Sequence, residues 1–143
     1  MAVLALLAAA SVALASGPKK GATYSGRLKP GHGVPLSDGT PISLKVSASA
    51  RKVTVSMESF PLFCEGGGPP QVIRFKPAAI KKGKFKAIGT STTEQQFGGG
   101  LTATAVVTGK FLAGGKEKGG FEDKFTKATA CSGKTTYTTK ARH

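Results

Sequence analysis

Apolar residues in this chain recur at every second position, and beyond the first residues no stretch sustains a helical interval. Ile42, Leu44 and Val46 alternate with Ser43, Lys45 and Ser47; after Ala48 to Lys52 the alternation resumes as Val53, Val55 and Met57. A period of two lines up side chains on one face of a strand, whereas a helix would scatter them around its circumference. Two such runs about a short connector predict a β-hairpin with one buried face.

A longer hairpin is predicted from Leu101 to Lys127, its β-rich arms flanking Ala-Gly-Gly-Lys-Glu-Lys-Gly-Gly at 113–120, where glycines can take positive φ at a reversal. Thr23 to Leu28 reads as a first strand at a sheet edge, with Tyr24, Gly26 and Leu28 on one face. Gln71 to Phe75, Lys84 to Thr90 and Lys134 to Lys140 supply further strands, and Ile80 is expected to tuck into the core. Lys29 to Pro41, Glu58 to Pro70 and Ser91 to Gly100 read as loops. About eight short strands with no helix between them predict an all-β fold, a single antiparallel β-sandwich or a small barrel spanning residues 23–143.

Two details stand out within that pattern. Gly83-Lys84-Phe85-Lys86-Ala87-Ile88-Gly89 resembles Gly109-Lys110-Phe111-Leu112-Ala113-Gly114-Gly115, which reads as one strand-entry solution used twice. If Phe121 and Phe125 both face inward along an unbroken strand, Asp123 shares their face. A bulge, a position near the sheet's edge or a buried functional carboxylate would each resolve this.

Residues 1–15 are uncharged and end in Ala13-Leu14-Ala15, a small-x-small site, so a signal peptide cleaved after Ala15 is expected although no basic residue precedes it. The run is about 15 residues, short of the roughly 20 needed to span a bilayer, so no transmembrane span is predicted in the mature protein. Residues 16–22 read as a mobile basic lead-in. Two cysteines in an exported chain predict one disulfide, Cys64 to Cys131, which would remove roughly 4 kcal/mol of unfolded-state entropy. The expected location is secreted or in the cell envelope.

The chemistry of catalysis is poorly supplied. There are two histidines, His32 in a Gly/Pro loop and the terminal His143, no Cys-x-x-Cys or His-x-x-x-His, and no Gly-x-Ser-x-Gly elbow. Ser132-Gly133-Lys134-Thr135 ends like a phosphate-cradling loop, but Ala128 stands where that motif needs its first glycine. No catalytic residue, metal site or cofactor is predicted. An uncharacterised enzyme, which would need polar groups converging on Glu65 and Asp123 beside the Glu58 to Pro70 loop, ranks last.

Binding signals are electrostatic. Twenty-one lysines and arginines face seven acids, a formal net charge of +14, and the chain has no tryptophan and two tyrosines. Aromatic stacking platforms are therefore scarce, while phosphate-type recognition needs only cations. Lys81, Lys82, Lys84 and Lys86 form one candidate polyanion-binding group, and Lys116, Lys118, Lys124 and Lys127 a second. The competing explanation is a soluble face whose lysines protect strand edges from aggregation.

Tyr24-Ser25-Gly26, Pro41 to Ser47, Arg51-Lys52-Val53, Cys64, Ile80 with Gly83-Lys84-Phe85, Val107 to Phe111, Gly120-Phe121 and Cys131-Ser132-Gly133 together resemble a pattern in small exported bacterial domains, especially actinobacterial ones. The resemblance implies a disulfide-pinned antiparallel β-sandwich and no assigned activity. The expectation is a non-catalytic binding or structural module whose cationic surface meets anionic cell-wall polymers or lipid surfaces, with nucleic acid bound only non-specifically. The alternative is a small carrier enclosing an apolar ligand near Phe85, Phe111 and Phe121.

Overall fold

The computed structural model describes residues 17–30, 40–60, 71–93, 101–125 and 132–142. The expected signal peptide, Cys64, Cys131 and Lys127 lie outside the described residues, so the disulfide expectation does too, as does Glu65. The strands are β1 (Thr23–Leu28), β2 (Pro41–Val46), β3 (Lys52–Phe60), β4 (Gln71–Phe75), β5 (Ala78–Ala79), β6 (Lys84–Thr93), β7 (Leu101–Leu112), β8 (Lys116–Phe125) and β9 (Gly133–Arg142). Among the described residues the helical content is one 3-10 turn, Ala113–Gly115.

Every pairing is antiparallel. Strands β1, β2, β3, β4, β6, β7, β8 and β9 pair in succession, and β9 returns to β1. The fold is thus all-β, a closed eight-stranded up-and-down barrel, with the two-residue β5 added against the start of β3. Closure settles the choice between sandwich and barrel. It also corrects the placement of β1 at an edge: Gly26 lies opposite Ile42 of β2 and also opposite Thr139 of β9. That second pairing joins the two ends of the chain, so no local pattern announces it.

Alternation decides what fills the barrel. Tyr24, Leu44, Val53, Val107, Phe111, Phe121 and Tyr137 are almost completely buried, each contributing on the order of 1.5–3 kcal/mol of apolar burial. The ring of Phe111 meets Tyr24 edge-on at 5.1 Å and lies 5.7 Å from Phe85. The repeated Gly-Lys-Phe explains that last contact. Lys84 pairs with Lys110 across β6 and β7, so both phenylalanines turn inward and both lysines outward. Gly83 sits at a turn before β6, but Gly109 lies inside β7, so the two copies are not both strand entries.

The barrel's two ends differ in construction. At one, the connections are tight: Ser47 to Arg51 between β2 and β3, a reversal at Lys82-Gly83 (φ 49° and 71°) before β6, and Ala113–Gly115 between β7 and β8. Ala22, Ala50, Ile80 and Ala141 pack there against the core. Residues 17–22, expected to be mobile, are fastened across this end: the Lys19 backbone N–H donates to the Tyr24 hydroxyl at 2.9 Å, and Gly21 N–H to Ser47 carbonyl at 3.1 Å. At the other end, the strands are joined through 29–40, 61–70, 94–100 and 126–132.

Candidate functional site

Strand β8 carries the least expected residues of the interior. The predicted hairpin is present, with ten residue pairs from Ala103–Phe125 to Leu112–Lys116. Its reversal is confined to Ala113–Gly115, where Gly114 and Gly115 adopt φ of 74° and 68°. Lys116 to Gly120, expected to belong to the turn, are therefore strand. Counting back by twos from Phe121 then brings Gly119 and Glu117 inside, and counting forward brings Asp123 inside. The pairing of β8 with β7 runs unbroken past Asp123 and that with β9 runs unbroken up to it, so no bulge rescues it from the interior.

Glu117 is 1 % exposed and held on both oxygens. Tyr137 Oη lies 3.0 Å from its Oε1, and Thr139 Oγ1 donates to Oε2 at 2.6 Å. Tyr137 Oη is also 3.1 Å from the Thr108 carbonyl oxygen. One phenolic proton cannot serve two acceptors. The arrangement is complete when Glu117 carries a proton, donating to Tyr137 while Tyr137 donates to Thr108. Burial pushes the Glu117 carboxyl up to about 7, against the opposing hydrogen bonds from Thr139 and Tyr137. Burial and the neighbouring Glu117 carboxylate push the Tyr137 hydroxyl well above the usual phenol range. Space for the network comes from glycines: a Cβ at Gly109 would lie 2.3 Å from Glu117 Oε1, and one at Gly119 would lie 2.6 Å from Tyr137 Oη.

Asp123 is buried to the same degree, yet among the described residues neither carboxylate oxygen has a hydrogen-bond partner. Its strand partners are Ala105 on β7 and Gly133 on β9. Burial pushes its carboxyl up to about 7, with a weaker opposing pull from the nearby Lys124 backbone N–H, which does not reach hydrogen-bond geometry.

The outer wall has the opposite charge. Every lysine and arginine among the described residues is exposed. Lys84, Lys110 and Lys118 face outward on β6, β7 and β8, and each lies directly opposite the next. Strands in a sheet are about 4.8 Å apart, so the three form a tight row across it. Thr138 and Arg27 continue the row on β9 and β1. Beside it runs an open groove of about 560 Å³, floored by Gly109, Gly119 and Gly120 and flanked by Lys29, Lys110 and Lys118. The outward carboxylate of β8 is Glu122, which pairs with Lys124 at 3.2 Å, away from the row.

The structure therefore brings together part of each predicted group. Lys84 and Lys118 join through Lys110, which was not singled out, although its alternation with Phe111 marks it as outward. Lys86 faces out one step along β6, while Lys81 and Lys82 sit at the reversal preceding that strand. Lys116 faces Lys140 of β9. Lys124 stands apart with Glu122. Among the described residues no group of three or more His, Cys, Asp or Glu is placed to hold a metal ion, and no helix is long and apolar enough to cross a membrane. No family model matches the chain, and neither a curated protein nor a solved structure matches it significantly.

Proposed function

We propose that this is an exported, non-catalytic binding module that holds a linear anionic polymer along the outer wall of its barrel. The observation that carries the reading is the row Lys84–Lys110–Lys118. Like charges directly opposite on neighbouring strands destabilise a sheet, and a surface selected only for solubility would intersperse its signs. Protection of strand edges does not account for the row either: β6, β7 and β8 are paired on both sides in a closed barrel. A polymer with repeated negative charge would relieve the repulsion, and the glycine floor lets its backbone approach the sheet. Envelope polymers rich in phosphate are the class of partner that best fits an exported chain of this charge.

The test is retention of the full chain on immobilised long-chain polyphosphate over a range of salt concentrations, beside vesicles of anionic lipid and duplex DNA. Replacing Lys84, Lys110 and Lys118 together by Gln is expected to reduce the salt dependence by roughly two to three counterions while raising thermal stability by relieving the row. Replacing Lys52, Lys76 and Arg51 by Gln serves as the charge-matched control. Equal loss in both variants would overturn the reading, leaving a general effect of net charge. Stronger retention on vesicles than on polyphosphate would move the proposal to a lipid surface.

A further inference from the structure

We propose that the Asp123 end of the barrel interior is a binding site for a small planar molecule bearing two parallel N–H donors, of the guanidinium, amidine or urea type. Three independent features of the geometry converge there. The carboxylate is 1 % exposed and unpartnered on both oxygens, among the described residues. Its neighbours across the strands, Ala105 on β7 and Gly133 on β9, have the smallest side chains a barrel wall can carry, whereas Gly89, opposite Ala105 on β6, is covered by Ile73 and Phe75 of β4. The site lies toward the strand ends opposite the fastened lead-in, away from the rings of Tyr24, Phe85 and Phe111 that fill the compact end.

The chemistry follows from what is missing around the group. A buried carboxylate needs hydrogen bonds or a counter-charge, and every described lysine and arginine faces outward. Two free oxygens in one plane accept two parallel N–H bonds, the fork geometry in which carboxylates bind guanidinium groups. The buried Phe121, two residues along the same face, makes the neighbouring part of the interior apolar. Glu117, six residues along the strand, is no rival for such a ligand, because Tyr137 and Thr139 already occupy it.

The inference is tested by calorimetric titration of the full chain with methylguanidine, acetamidine and N-methylurea, with tetramethylammonium as a cation lacking N–H donors. At least one of the three is expected to bind and to raise the melting temperature, with tetramethylammonium inert. Asp123→Asn, close to isosteric, is expected to weaken that binding by about tenfold or more. Asp123→Leu is expected to abolish it while leaving the ligand-free barrel at least as stable as the parent, since it removes a buried unpaired carboxylate. Melting curves confirm that both variants fold. Absence of binding by all three probes, or unchanged binding by Asp123→Asn, would overturn the proposal. Retention on polyphosphate is read separately, so this site and the outer wall stand or fall apart from each other.

Discussion

Two carboxylates point into the barrel from one strand, six residues apart, and burial pushes both up to about 7. Their surroundings differ completely. Glu117 sits at the compact end within a network in which Tyr137, Thr139 and the Thr108 carbonyl consume its hydrogen-bonding capacity. Asp123 sits toward the other end, between alanine and glycine, with both oxygens unused among the described residues. A raised pKa thus says only that a carboxyl is dry. What separates a structural acid from one available to a ligand is whether its oxygens are already spoken for.

That contrast can be broken most severely at Gly109. Its replacement by alanine would place a Cβ 2.3 Å from both Glu117 Oε1 and the Phe85 ring, so the compact end must shift. Loss of roughly 3 kcal/mol or more is expected in denaturant unfolding.

Next in size is the response to pH. Both folded-state values lie above the ordinary ones, 4.5 for Glu117 and 3.8 for Asp123, so the folded barrel retains protons that the unfolded chain releases. The stability contributed by the neutral carboxyls is full below the ordinary values and is lost as pH rises through about 7. Melting curves are expected to fall between about pH 5 and about pH 8, by about 2 kcal/mol from Glu117 alone. Glu117→Gln and Asp123→Leu should each flatten part of that slope. A stability that rises over this range would contradict the assignment of both acids.

The smallest effect sharpens the comparison from the side of Glu117. Tyr137→Phe removes the hydroxyl bridging Glu117 to Thr108 and is expected to cost about 1 kcal/mol. Asp123→Leu has no such network to lose and is expected to shift stability in the opposite direction. Equal costs for the two substitutions would mean that Asp123 is as firmly satisfied as Glu117.

Much of this arrangement was legible in the residues. Alternation placed the Ile42–Val46 and Val53–Met57 hairpin, the long hairpin after Leu101 and the inward faces of Tyr24 and Leu28, because each depends on neighbours close in sequence. The tension at Asp123 was visible for the same reason. Glu117 was missed because five glycines spread over residues 109–120 look like one broad turn, whereas two residues of positive φ suffice for the reversal. The Lys84–Lys110–Lys118 row was only half seen, since register between strands, rather than composition, brings its members opposite one another. Closure through β1 and β9 had no local signature at all.

The seam between β1 and β9 has a kinetic meaning. Thr23 pairs with Arg142 and Leu28 with Tyr137, so the ring is joined by contacts nearly as distant in sequence as the chain allows. Until the last strand arrives, β1 and β8 each expose an unpaired edge to any other strand nearby, and the search that joins them is slow. Docking of β9 on β1 is thus the step that removes both edges of the eight-stranded ring.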